Sequence, residues 1–220
     1  MIKADGIAAG KGVIMPQPTL EESKAALRQI MLDKIFGDSG DQVVIEEFLE
    51  GDEISILAFS DGYTIVPLPP AQDHKRIFDG DKGPNTGGMG CYAPAPVATQ
   101  QILAEIHKTV LQPSIDGMRK DGYPFVGLLF TGLMLTADGP KVLEYNVRFG
   151  DPETQTVLPL LSNDTDLAQV MMACVDRRLD SVTLKMKPGY CVSVVAAAGG
   201  YPGTYAKNFF ITLFDVPESK

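Results

Sequence analysis

The segment Lys141-Val142-Leu143-Glu144-Tyr145-Asn146-Val147-Arg148 carries the densest chemistry in the sequence. Side chains of an extended strand alternate between faces, so Glu144, Asn146 and Arg148 share one face while Leu143, Tyr145 and Val147 point to the other. Polar groups on a strand otherwise suited to a core are costly unless partners satisfy them. A carboxylate and a carboxamide oxygen two residues apart are hard ligands that suit Mg²⁺, an ion that keeps its remaining positions for phosphate oxygens and water. The guanidinium one step along can fork onto a carboxylate or a phosphate. The other reading is an edge strand with a solvated polar face, and residue types alone leave both open.

A second candidate is Gly6-Ile7-Ala8-Ala9-Gly10-Lys11-Gly12. Small residues let backbone N–H groups approach an anion, and Lys11 adds charge, so the run reads as phosphate-contacting or as a flexible surface turn. It is not a Walker A loop, which needs four residues between its glycines and Ser or Thr after the lysine; three stand here, and Gly12 follows. Gly88-Met89-Gly90-Cys91-Tyr92-Ala93 formally fits a dinucleotide fingerprint, but Pro94 and Pro96 forbid the helix that must begin there. Glu46-Glu47-Phe48-Leu49 ends an apolar strand and Glu53 opens the next, an arrangement that can meet an adenine and a ribose or be an ordinary charged hinge. The polar stretch Pro69 through Arg76, continuing from Gly83 to Gly90, is too long for a connector and mixes cations, an acid and glycines, as a loop for charged ligands would. His74 and His107 lack a Ser or Cys nucleophile motif, which argues against triad chemistry.

The elements that would position these residues alternate along the chain. Thr19-Leu20-Glu21-Glu22 is a capping box, opening a helix with Ala26, Leu27, Ile30, Met31 and Ile35 near helical spacing and Gly37 as its stop. A strand is predicted from Val43 to Leu49, and a hairpin from Glu53–Ser60 with Tyr63–Leu68 about Asp61-Gly62. A helix from about Thr99 is expected to break or kink at Pro113. A second hairpin pairs 127–136 with 141–149. Asp151-Pro152-Glu153 reads as N-cap, N1 proline and dipole-favoured acid of a new helix. Leu167, Val170, Met171 and Cys174 mark another helix, and Tyr190–Ala198 a continuous apolar strand. Strands arrive mainly as hairpins, so the fold class is α+β with largely antiparallel sheets.

Composition bounds the function. The chain has 220 residues, 45% hydrophobic and 21% charged, with 19 basic against 28 acidic side chains and a net charge of −9. No cationic excess exists to displace counterions, so a nucleic-acid partner is not expected, and anionic ligands must be held by local cations or a metal. No apolar run of about 18 residues appears, so no membrane span is expected. Three cysteines without CxxC spacing, and no secretory h-region, point to a reducing, cytoplasmic location. The opening strand and the closing run Phe209-Phe210-Ile211-Thr212-Leu213-Phe214, β-like, read as parts of a longer protein.

Together these segments resemble the phosphoribosylamine–glycine ligases (glycinamide ribonucleotide synthetases) of the ATP-grasp superfamily. The likeness rests on Lys3-Ala4-Asp5-Gly6 with Ala8 to Gly12, on Pro69 through Arg76, on Gly83 through Gly90, and on Arg148-Phe149-Gly150-Asp151-Pro152-Glu153. It covers about residues 1 to 205. The resemblance implies an ATP-grasp core incomplete at both ends: a partial small (lid) subdomain over 1–47, a large subdomain with the metal and substrate site over 48–178, and the beginning of a C-terminal domain over 179–220. It implies ligation of glycine to 5-phosphoribosylamine through a glycyl phosphate, consuming ATP, in purine synthesis.

By position, Lys3, Gly6, Gly10, Lys11 and Gly12 would hold phosphates; Glu46, Glu47, Phe48 and Leu49 would meet adenine, and Glu53 the ribose. Arg76 and Asn85 would contact ATP, and Glu144 and Asn146 would bind Mg²⁺ or Mn²⁺. Asp73 and Arg148 are expected catalytic and substrate-contacting residues, and Asp151 a substrate contact. The parent polypeptide is expected to carry further purine-pathway domains. The sequence departs from the family in lacking an N-terminal domain of about one hundred residues, with an ATP-contacting lysine expected there. Further departures are Cys91 in place of alanine, Tyr145 and Val147 in place of phenylalanine and cysteine, and the run from Asn208 on. The alternatives are an inactive fragment serving as a nucleotide-binding or interaction module, and an ATP-grasp ligase for another carboxylate.

Overall fold

The computed structural model describes residues 1–8, 12–15 and 19–210, which form two compact units, Met1–Gly51 and Asp52–Lys220. In the first unit, β1 (Ile2–Ala4) is the centre of a three-stranded antiparallel sheet between β2 (Val13–Ile14) and β3 (Val43–Ile45). The helix α1 (Leu20–Met31) covers it, burying Ala26 and Ile30 with Ile2. Thr19 caps α1, its hydroxyl accepting from the Glu22 backbone N–H at 3.3 Å. The helix stops at Met31, earlier than its apolar spacing suggests. Positive φ at Lys34 (53°) and Gly37 (60°) turns the chain away, leaving Ile35 exposed. The predicted strand to Leu49 is likewise shorter: β3 ends at Ile45, and 46–50 belong to no strand or helix.

The second unit is built on a four-stranded antiparallel sheet ordered β11-β10-β4-β5, with β4 (Asp52–Asp61), β5 (Ile65–Pro67), β10 (Val126–Thr136) and β11 (Gly139–Asn146). Both predicted hairpins are in it. The stretch expected as loop between β5 and the next helix instead contains four short strands: β6 (Gln72–Asp73), β7 (Arg76–Phe78), β8 (Lys82–Asn85) and β9 (Gly90–Ala93). Its glycines mislead because they serve a hairpin, Gly80 (φ 70°) in its turn and Gly83 (φ 83°) within β8, rather than an open loop. Residues 90–93 are a strand and not the start of a helix, in keeping with the prolines after them.

One face of the main sheet (Ile54, Ile56, Ala58, Leu129, Leu133) packs on α2 (Gln100–Ile106) and α3 (Gln112–Lys120). A π-helical segment, His107–Leu111, joins the two helices, the Gln112 N–H reaching back five residues to the His107 carbonyl. The wider turn absorbs the register change that a proline's missing donor forces. The opposite face (Leu57, Phe59, Leu128, Phe130) packs on α4 (Glu153–Val157), on α5 (Leu167–Val175, capped by Asp166) and on the sheet β12-β9-β6.

The strand β12 is shorter than predicted, Cys191–Val194, pairs antiparallel with β9, and leaves Val192 and Val194 exposed. Residues from 179 onward, expected to open another domain, lie in the second unit as far as they are described, with Leu179 in its core. Phe209 and Phe210 are outside any strand, and 211–220 lie outside the described residues. No helix among the described residues is long and apolar enough to cross a membrane.

Candidate active site

The strand β11 presents the acid–amide pair through a β-bulge. Pairing with β10 runs Leu133↔Val142 and then Gly132↔Glu144, so Leu143 is an extra residue. The bulge transfers Glu144 from the helix-packed face, where Val142 stands opposite core residue Leu133, to the face of Phe130. There Glu144, Gly132 and Ser55 lie side by side across three strands. Asn146 Nδ2 donates to Glu144 Oε1 at 3.3 Å and Arg148 Nη2 to Asn146 Oδ1 at 3.4 Å, so the three predicted side chains do form one ladder. Tyr145 points the other way and bonds Ser114 Oγ on α3 at 2.7 Å.

The segment after β5 brings charge to the same face. Lys75 pairs with Glu53 at the start of β4, and Gln72 Nε2 donates to the Glu53 carbonyl at 3.1 Å. Burial alone would lower the Lys75 pKa, but Glu53, with Asp73 and Glu144, outweighs it and the ammonium is held above its ordinary range. Asp73 shows the reverse: burial first, then the Glu153 carboxylate, push it up to about 7 against the pull of Lys75. Its Oδ1 is buried without a hydrogen-bond partner. Glu153 is 4% exposed, and burial raises its pKa too, opposed first by a hydrogen bond from its own backbone N–H and then by Lys75 and Arg148, with Asp151 adding to the rise.

Glu53, Asp73, Glu144 and Arg148 thus come together, joined by Lys75 and Glu153, which the sequence reading did not single out as site residues. The signal for Lys75 was present, since it adjoins the recognised acid and arginine. Glu153 was hidden by its place in a cap-like tripeptide. Asp151 provides no cap: Pro152 holds the N-cap position without a side-chain bond, and Asp151 Oδ1 accepts from Gln155 Nε2 at 2.7 Å. Arg76 and Asn85 face each other across the β7–β8 hairpin, where Arg76 Nη1 donates to the Gly83 carbonyl at 2.7 Å.

In the first unit, Lys3 pairs with Glu46 at 2.7 Å. The glycine run links antiparallel strands β1 and β2, and Gly6 packs so closely on Ser39 that a Cβ would stand 2.7 Å from its hydroxyl. Gly12 is described, its carbonyl accepting from the Ala4 N–H at 2.8 Å, while Gly10 and Lys11 lie outside the described residues. Glu47 and Phe48 are exposed and Leu49 half-buried on the segment after β3.

The phosphoribosylglycinamide synthetase ATP-grasp (A) domain profile matches residues 1–154. The chain belongs to this family. The crystal structure of phosphoribosylamine–glycine ligase from Thermotoga maritima superposes with a TM-score of 0.80 at 38% identity, over 93% of this chain and 51% of that one. The bifunctional purine biosynthetic protein ADE1 of Schizosaccharomyces pombe is 62% identical over all of this chain, which spans 27% of its length. Phosphoribosylamine–glycine ligase of Vibrio parahaemolyticus is 48% identical over 96% of the chain, which spans 49% of that protein. This member of the ATP-grasp family spans about a quarter to a half of the length of these curated relatives, one of them bifunctional by name.

The donor set at the ladder fits a hard divalent cation. Glu144 offers a carboxylate and Asn146 a carboxamide oxygen, the latter turned toward Arg148 Nη2 at 3.4 Å, and no group of three or more His, Cys, Asp or Glu ligands exists among the described residues. Two protein oxygens are what Mg²⁺ takes when phosphates and water complete its shell.

Proposed function

We propose that this chain supplies the ATP- and metal-binding core of a phosphoribosylamine–glycine ligase, joining glycine to 5-phosphoribosylamine as ATP is converted to ADP and phosphate. The observation that carries the proposal is the convergence, on one sheet face of a family member, of the Glu144–Asn146–Arg148 ladder with Lys75, Asp73 and Glu53. Lys3, the Gly6–Gly12 run with Gly10 and Lys11, Arg76 and Asn85 are assigned to the phosphates of ATP, residues 46–49 to its adenine, and Glu53 to its ribose. Glu144 and Asn146 are assigned to Mg²⁺ or Mn²⁺, which when bound neutralises phosphate charge.

The chemistry needs no protein nucleophile. A glycine carboxylate oxygen attacks the γ-phosphorus as the bond to ADP breaks, leaving glycyl phosphate. The ribosylamine nitrogen then attacks the acyl carbon, phosphate departs, and the nitrogen loses a proton. What these residues contribute is position and charge: Arg148 and Lys75 face developing negative charge in a site partly shielded from water, and Asp73 and Asp151 contact the amine substrates. The small and large ATP-grasp subdomains are assigned to 1–47 and 48–178, the parent protein is assigned further purine-pathway activities, and its place is the cytoplasm. The test is ADP release by the folded protein, expected only when glycine and phosphoribosylamine are both present; release indifferent to glycine overturns the assignment.

A further inference from the structure

The helix α5, Leu167-Ala168-Gln169-Val170-Met171-Met172-Ala173-Cys174-Val175, contains a single polar residue, Gln169. One side packs into the core of the second unit through Val170, Ala173 and Cys174. The opposite side is exposed and is apolar as well. At helical spacing Ala168, Met171, Met172 and Val175 fall on one stripe, with Met171 40%, Met172 53% and Val175 67% exposed. A surface helix turns polar residues outward, whereas a helix apolar on every side is covered on every side. Methionine side chains suit such a contact because they repack readily against a partner.

The stripe reads alike in both directions. Ala168 stands three residues before Met171, and Val175 three after Met172. A two-fold axis passing between the methionines sets a second α5 antiparallel to the first, with Met171 against Met172 of the second copy and Ala168 against its Val175. The ends of the helix match under the same axis. At the N-terminal end both capping bonds, from the Ala168 and Gln169 N–H groups, go to Asp166 Oδ1, which leaves Oδ2 for another donor. At the C-terminal end Arg178 is paired with Asp176 at 3.2 Å, while Arg177 has no carboxylate partner among the described residues.

Arg177 lies over the ring of Tyr63, 5.8 Å from its centroid, and Arg119 of α3 approaches that ring at 4.9 Å. The ring remains 52% exposed, so the apolar stripe is bordered by the Tyr and Arg side chains that protein contacts favour. Arg177 also has a φ of 55°, the left-handed conformation past a helix end that glycine ordinarily fills. A guanidinium kept where glycine would relieve the backbone has a use beyond stopping the helix. Asp166 and Arg177 are equally far from the centre of the stripe, five residues before Met171 and five after Met172. The antiparallel arrangement therefore brings each Arg177 beside Asp166 of the other copy, and it also opposes the two helix dipoles.

We propose that this chain associates with a second copy of itself through α5, as a two-fold dimer with the methionines at its centre and an Asp166–Arg177 ion pair at each end. One short helix from each side is a small contact, so the dimer is reversible and forms at micromolar concentration. No residue assigned to ATP, the metal or the substrates lies on α5, and the proposal stands apart from the ligase reading.

Sedimentation equilibrium from about 1 to about 200 μM protein, bracketing a micromolar Kd, is expected to show monomer passing to dimer and no further. Met172→Glu, which places a charge in the centre of the contact, is expected to remain monomeric throughout. Arg177→Glu sets like charges together and is expected to weaken association by about tenfold or more, with Arg177→Lys recovering part of it. Arg177→Gly relieves the backbone, so it is expected to melt no lower than wild type and yet to associate more weakly; a residue that served only the helix stop would leave association unchanged. Wild-type protein that stays monomeric over the whole range overturns the proposal. So does a dimer that survives both Met172→Glu and Arg177→Glu in protein that melts cooperatively, since that dimer forms through another surface.

Discussion

Asp73 illustrates how a single side chain can oppose the fold that carries it. Its carboxyl is raised from 3.8 to about 7, chiefly by burial and next by Glu153, with Lys75 as the opposing charge and Glu53 as a further acid. Between those two values the folded protein holds a proton that the unfolded chain has already lost. The contribution of Asp73 to stability therefore falls as pH rises through that window and stays lost above it. Asp73→Asn removes the titration, and we expect the variant to be more stable than wild type at pH 8 by on the order of 2 kcal/mol, after allowing for partial solvent screening. The gap should close as pH falls toward 4. Thermal melts across pH 4 to 8 check this; a gap independent of pH would show that burial does not set the Asp73 charge. Such a trade, stability for a charge poised in a site, is what functional groups commonly show.

Among the elements, the β4–β5 turn and the short 3₁₀ turn after α5 are joined by one carboxylate. Asp61 Oδ1 accepts from the Tyr63 and Thr64 N–H groups at 2.9 and 2.7 Å, and Oδ2 from the Leu179 N–H at 3.0 Å. Burial pushes its pKa up, but these backbone donors outweigh burial and hold it below the usual carboxylate range. Stability from Asp61 is thus present above the ordinary carboxylate pKa and lost as pH falls through the lowered one. Asp61→Ala orphans these donors and is expected to cost about 2–4 kcal/mol in urea unfolding at pH 7, with a smaller cost near pH 2.

The bulge in β11 belongs to this scale as well. Alternation within 144–148 was readable from residue types, and the hydrogen-bonded ladder agrees with it. Which face of the sheet those residues occupy was not readable, because Leu143 shifts the register and only the pairing with β10 shows that it does. Around Pro113 the α-helical run is interrupted by a π segment, a form of interruption that the proline alone did not specify, in a run whose apolar side stays buried.

For the molecule as a whole, a net charge of −9 sets a background hostile to a nucleotide triphosphate. On the proposed ligase reading, local cations and a divalent ion overcome that field, so chelating the metal is expected to weaken ATP binding by about tenfold or more, and Glu144→Ala to remove most of the metal's benefit. Calorimetric titration of ATP with and without Mg²⁺ measures both; equal metal enhancement in wild type and Glu144→Ala would take Glu144 out of the metal site. By itself the sequence determined the α+β class, the hairpins and their turns, the helices with hydroxyl caps, and the family, since each rests on short-range spacing or on motif residues read in order. Tertiary structure alone decided that Glu153 is buried, that Lys75 joins the cluster, and that the β11 bulge turns Glu144 toward them. Those are properties of residues far apart in sequence meeting in a space of low dielectric, where burial and approach distance, not residue type, set charge and partner.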